Sequence, residues 1–117
     1  MTYGVVVLAD TEPRARKEHK CQLCERTIER GETYTAQRNI FDGRLYTFKA
    51  CRQCMAFSSA LHKAGFDDDE GGYPWPSELD ASEIASVGLS REHNLFRARW
   101  RDAEGALVEY PGTHVIG

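Results

Sequence analysis

Cys21-Gln22-Leu23-Cys24 and Cys51-Arg52-Gln53-Cys54 are the two stretches whose reading decides the fold of this 117-residue chain. Each Cys-x-x-Cys sets two sulfurs on one tight turn, and two such turns meeting supply the four thiolates of a tetrahedral site. The spacing therefore predicts one structural zinc ion on Cys21, Cys24, Cys51 and Cys54, with all four coordination positions closed by protein. Two other uses of paired cysteines compete. A redox dithiol would want one pair opening a helix inside a βαβ unit, and no such unit is visible in the pattern. Two disulfides would suit a secreted chain. His19 is an alternative ligand, but a histidine in a charged connector is more often solvated, and it is left out of the set.

The segment between the pairs, 26 residues long, is read next. Ile28 and Glu29-Arg30-Gly31-Glu32 predict a reversal in which Gly31 takes a positive φ. Residues 33–41 and 44–50 are rich in Thr, Tyr, Phe and Ile, and Asp42-Gly43 between them is a strong two-residue hairpin turn. That register puts Tyr46 and Phe48 on one face with Phe41, and Tyr34, Ile40 and Leu45 on the other. From Arg52 the period changes. Phe57, Ala60, Leu61 and Ala64 recur at i, i+3, i+4 and i+7, an amphipathic helix with Gly65 as its stop. The second cysteine pair thus sits at a helix N-terminus, whose unpaired N–H groups and dipole suit an anionic zinc–thiolate cluster.

Knuckle, hairpin and helix-borne second pair, over roughly residues 19–64, resemble the treble-clef zinc fingers. The progression Cys21, Cys24, Ile28, Gly31, Tyr34 also looks like the opening of small zinc proteins of actinobacteria and their phages. The resemblance implies a four-cysteine zinc module and no activity of its own. Treble clefs also carry the HNH-type nucleases, which place a histidine base on the hairpin and further metal-holding groups on the helix. No histidine lies between Cys24 and Cys51. His62 and His93-Asn94 come later, so the nuclease pattern does not carry over, and the expectation is a protein that is not an enzyme. His62, His93 and His114 read as surface or packing residues.

Outside this module the signals are local. The apolar run Tyr3-Gly4-Val5-Val6-Val7-Leu8 predicts a strand, broken at Asp10-Thr11-Glu12-Pro13. Residues 14–20 read as an exposed charged connector. Residues 67–76, Asp-Asp-Asp-Glu-Gly-Gly-Tyr-Pro-Trp-Pro, form an acidic loop; four adjacent acids lack the alternation of a calcium loop. Ser77 is read as the cap of a short helix ending at Gly88. Residues 95–101 and 106–110 are read as a second hairpin across Asp102-Ala103-Glu104-Gly105, pairing with the N-terminal strand. The whole is expected to be α+β: a single domain 1–117 made of a treble-clef-like zinc module at 19–65, then loop, short helix and C-terminal β-hairpin at 66–117. Apolar residues make up 41% and charged residues 28%, an ordinary globular balance. The longest apolar run, 4–9, is far short of the roughly 20 residues a membrane helix needs, and no basic n-region precedes it. A soluble cytoplasmic chain without a membrane partner is the expectation.

Charge gives the partner classes. The formal net charge is −3, but residues 12–54 carry ten Lys/Arg against six acids, and residues 55–117 five against eleven. A basic front beside an acidic back allows a nucleic-acid-facing module, with DNA or RNA as partner. Lys20, Arg26, Lys49 and Arg52 could equally neutralise the zinc–thiolate charge. If 95–101 is a strand, Arg97, Arg99 and Arg101 stand in a row about 6.8 Å apart, which suits successive phosphates. A solvated edge paired with Glu109 or Glu104 accounts for them equally well. Arg38 and Lys49 are further candidate phosphate contacts. Tyr73 and Trp75 are candidate anchors for a protein partner, or a lid on a small core. The leading expectation is a zinc-stabilised nucleic-acid-binding module. The alternatives are a protein-interaction factor of phage type acting on a host protein, and an HNH-like nuclease. No small-molecule substrate is evident.

Overall fold

Asp42 and Gly43 both take positive φ, 52° and 77°, the geometry of the tight hairpin turn whose twist matches its flanking strands. The computed structural model to which they belong describes residues 6–66 and 74–111. Its strands are β1 (Val6–Thr11), β2 (His19–Lys20), β3 (Thr27–Ile28), β4 (Tyr34–Phe41) and β5 (Arg44–Cys51). Its helices are α1 (Arg52–Lys63), α2 (Ala81–Ser86) and α3 (Ser90–Arg97). Contacts divide the chain into two compact units, one up to Arg52 and one from Gln53 onward.

In the first unit β4 and β5 pair antiparallel without interruption from Phe41↔Arg44 to Tyr34↔Cys51. The register puts Tyr34, Ile40 and Leu45 on one face and Tyr46, Phe48 and position 41 on the other, as the alternation predicts. β1 adds to the far side of β4, giving the sheet order β1-β4-β5. This corrects the expected pairing of the N-terminal strand with a C-terminal hairpin. The β1 ladder shifts register between Val7 and Ala9. β2 and β3 pair with each other, His19↔Ile28 and Lys20↔Thr27. The connector 14–20 is less free than its charge suggests. Ala15 N–H donates to the Glu32 carbonyl at 2.8 Å, its own carbonyl accepts from Gly31 at 2.9 Å, and Ala15 is buried.

In the second unit α1 ends as its pattern predicts. Gly65 takes φ 105°, with Gly65 N–H donating to His62 and Phe66 N–H to Leu61, a Schellman stop. The short helix begins later than the sequence suggests. Pro76–Glu78 is a single 3-10 turn, and α2 is capped by Asp80, whose N–H donates to Glu83. Residues 95–101 are the main departure from expectation, since α3 occupies the first part of that stretch. Leu89, His93 and Phe96 recur at i, i+4 and i+7, and the stripe extends to Trp100, so helical burial overrides the alternation of Phe96, Ala98 and Trp100. The predicted hairpin is reduced to one isolated bridge, Arg101↔Leu107. The turn at 102–105 does form, with Asp102 Oδ1 accepting from the N–H groups of Glu104 and Ala106. An aromatic cluster fills this unit. The Phe57 ring lies 5.7 Å from Phe96, 6.1 Å from Trp100 and 6.3 Å from His93, and Trp100 lies 5.8 Å from Tyr110.

Candidate metal centre

The first cysteine pair sits on a turn closed by β2 and β3. Cys21 N–H donates to the Arg26 carbonyl and Glu25 N–H to the Cys21 carbonyl, both at 2.9 Å. Glu25 takes φ 67° to make the reversal. Within the turn the N–H groups of Leu23 and Cys24 point at Cys21 Sγ from 3.4 and 3.5 Å. These donors stabilise a thiolate over a thiol. The second pair straddles a strand end and a helix start, Cys51 closing β5 and Cys54 lying in the first turn of α1.

Backbone groups bring the knuckle to β5. Gln22 N–H donates to the Lys49 carbonyl at 2.9 Å, and Lys49 N–H donates back to Gln22 Oε1 at 3.3 Å. Cys51 N–H then reaches Cys21 Sγ at 3.2 Å. The Sγ atoms of Cys21, Cys24, Cys51 and Cys54 all lie within 4.8 Å of one another. None of the four cysteines is more than 7% exposed. Metal–sulfur bonds of about 2.3 Å give tetrahedral sulfur–sulfur edges of about 3.8 Å, and Cys24 and Cys51 stand 3.9 Å apart. Four soft donors, buried and converging at that spacing, fit a metal ion.

Two side chains stand beside the cluster: Arg26, one of the cations offered by the sequence to neutralise it, and Trp100, which no pattern announced. Trp100 is completely buried and donates its indole Nε1–H to Cys54 Sγ at 3.2 Å. The two residues are 46 positions apart, so no local pattern could link them. Arg26, also buried, makes a two-pronged pair with Glu32, at 2.8 Å to Oε1 and 3.0 Å to Oε2. Burial works against its charge. The Glu32 hydrogen bond and the Cys51 and Cys24 sulfurs more than offset this, so its pKa is raised.

The other candidates fall into place separately. His19 is outside the cluster, its Nε2 3.3 Å from Tyr34 Oη and its Nδ1 3.1 Å from Lys49 Nζ. Desolvation, then Lys49 and Lys17, lower its pKa. Arg38 is exposed and Lys49 half-buried, on one face of adjacent strands. Arg97, Arg99 and Arg101 do not form the expected row. Arg97 ends α3, Arg99 follows it at φ 57°, and Arg101 lies in the bridge, its Nη1 donating to the Gly105 carbonyl. Trp75 is 41% exposed between buried Pro74 and Pro76, while Ser58 Oγ holds the Pro74 carbonyl at 2.6 Å. Tyr73, His114 and the acidic run 67–70 lie outside the described residues. His62 and His93 are part-buried, and desolvation, then Arg97, lower the His93 pKa. Among the described residues no helix is long and apolar enough to cross a membrane. No family model, curated protein or solved structure matches this chain.

Proposed function

We propose that the chain is a non-enzymatic module, folded around one structural zinc ion in a treble-clef-like arrangement, that engages nucleic acid through the phosphate backbone. Zinc is the ion favoured by four thiolates at tetrahedral spacing, and four protein ligands leave no coordination position for an activated water. Cys21, Cys24, Cys51 and Cys54 would hold it.

The observation that carries the nucleic-acid reading is the state of the cations in the first unit. Among its described residues, Arg26 alone is buried and paired with a carboxylate. Arg16, Lys17, Lys20, Arg30, Arg38, Arg44 and Arg52 are exposed and make no ion pair among the described residues. Cations left unpaired on a surface attract a polyanion and release its counterions. Arg38 and Lys49, neighbours on one sheet face, are the contacts to test. Binding of fluorescent DNA and RNA oligonucleotides, followed by anisotropy across a salt series, should weaken linearly in log[salt]. Arg38→Ala with Lys49→Ala should flatten that slope by about 1–2, the value for one or two lost phosphate contacts. Binding without salt dependence, or no binding at low salt, would overturn the proposal.

A further inference from the structure

Among the described residues the sheet ends in β5, and its turn fixes which backbone groups of β5 look outward. A two-residue turn closes on a hydrogen-bonded pair, here Phe41↔Arg44. Arg44, Tyr46, Phe48 and Ala50 therefore direct their N–H and C=O groups to β4, and Leu45, Thr47, Lys49 and Cys51 direct theirs away from it. The hydrogen bonds agree. Gln22 brackets Lys49, and Cys51 N–H donates to Cys21 Sγ. The knuckle thus occupies the outward groups at one end of the edge. At the other end those of Leu45 and Thr47 meet no partner among the described residues, and both residues are exposed.

This edge lacks two usual protections, a bulge and a proline. The opposite edge, β1, is broken by its register shift, which blunts a strand against pairing. β5 pairs through its whole length without a bulge and contains no proline. Leu45 is 60% and Tyr46 40% exposed, one on each face, so an added strand would find an apolar contact on either side. Charge selects the occupant. Arg44 lies on the open stretch and Arg38 and Lys49 on the Leu45 face, while neither β4 nor β5 contains an acid and Asp42 sits in the turn between them. A second copy pairing antiparallel would bring two sets of these cations onto one ribbon.

We propose that the Leu45–Thr47 edge of β5 takes an extended acidic segment of a partner protein, which adds as a further strand with its apolar side chains on one face of the sheet, over Leu45 or over Tyr46, and its acids on the other. This shares Arg38 and Lys49 with the nucleic-acid reading but rests on backbone groups of β5 that the nucleic-acid reading does not use.

The test uses the full chain and a labelled peptide of three Glu-Val repeats, with a Lys-Val peptide and a Glu-Val peptide carrying a central proline as controls. Thr47→Pro removes one outward N–H and leaves the β4 ladder whole. Leu45→Glu leaves the backbone intact but sets a like charge against the peptide, so it tests the edge should Thr47→Pro not fold. The expected result is binding of the Glu-Val peptide alone, about tenfold weaker with Thr47→Pro, as for one lost hydrogen bond, and weaker again with Leu45→Glu. Equal binding of the proline-bearing peptide, or well-folded variants that bind as the parent does, would overturn the proposal by showing a charge effect without strand pairing. Sedimentation showing a dimer that Leu45→Glu or Thr47→Pro dissolves would overturn it in favour of a second copy.

Discussion

Arg26 shows how much can rest on one side chain beside a cysteine turn. Its carbonyl closes the Cys21 turn, and its guanidinium is buried, with only 2% of the side chain exposed. Glu32 answers both prongs and also accepts from Glu29 N–H at 2.7 Å, so one carboxylate serves an ion pair and a backbone turn. A pair of this kind adds little over an apolar pair of the same shape, but removing one member strands the other charge in a poor solvent. Glu32→Gln should therefore destabilise the fold by about 3 kcal/mol, the low end for a broken buried pair, since Glu32 keeps 19% of its side chain exposed. Denaturant unfolding at constant metal checks this. A change within about 0.5 kcal/mol, the size expected of a surface pair, would mean that the guanidinium finds water when Glu32 is gone.

At the scale of elements, three helices end in one way with different residues. α1 stops at Gly65 and α2 at Gly88, φ 105° and 79°, with the paired backbone bonds of a Schellman motif. α3 closes with the same two bonds, Arg99 N–H to Phe96 and Trp100 N–H to Leu95, but Arg99 stands at the left-handed position at φ 57°. An L side chain there costs roughly 1–2 kcal/mol, while glycine gives back part of this in unfolded-chain entropy. Arg99→Gly should thus raise stability by about 0.5–1 kcal/mol, read as a later denaturant midpoint at unchanged m-value; a loss would show that the Arg99 side chain contributes more than its backbone costs. The same site explains where the sequence was legible and where it was not. The β4–β5 hairpin and α1 were readable because turn chemistry, period and stop residue agree at Asp42-Gly43 and Gly65. The metal cluster was readable because its four cysteines come as two fixed spacings. Residues 95–101 satisfy a strand alternation and a helical stripe together, and the glycine that would have marked the end of α3 is absent. Strand partners are nonlocal, so nothing in the apolar run of β1 could name β4, and nothing near Cys54 could name Trp100.

For the whole molecule, the question is how far the fold depends on a metal ion held by the four cysteines. The first unit buries few large apolar side chains among its described residues, chiefly Leu23, Ile28 and Tyr34. Cores this small seldom stabilise a domain alone, and a bound metal then becomes part of the folding free energy. The second unit has the aromatic cluster, and it carries Cys54 with Trp100 hydrogen-bonded to it. Trp100 is therefore placed to report on the cluster. The chain has two tryptophans, and Trp75→Phe removes the exposed one, leaving emission from Trp100 alone. With zinc bound, that emission should be blue and shielded from a soluble quencher. Chelation frees the cysteines, and the expected result is a red shift, loss of shielding and loss of strand signal in circular dichroism, all restored by one equivalent of zinc. Trp100→Phe should keep the ring packing on Phe57 but lose the donor to Cys54, so metal should leave it faster in a chelator competition while the fold persists. If complete removal of the metal, verified by elemental analysis, leaves Trp100 emission and the strand signal unchanged, the four thiols hold their positions without an ion, and the burial around Phe57 and Ile28 carries the fold by itself.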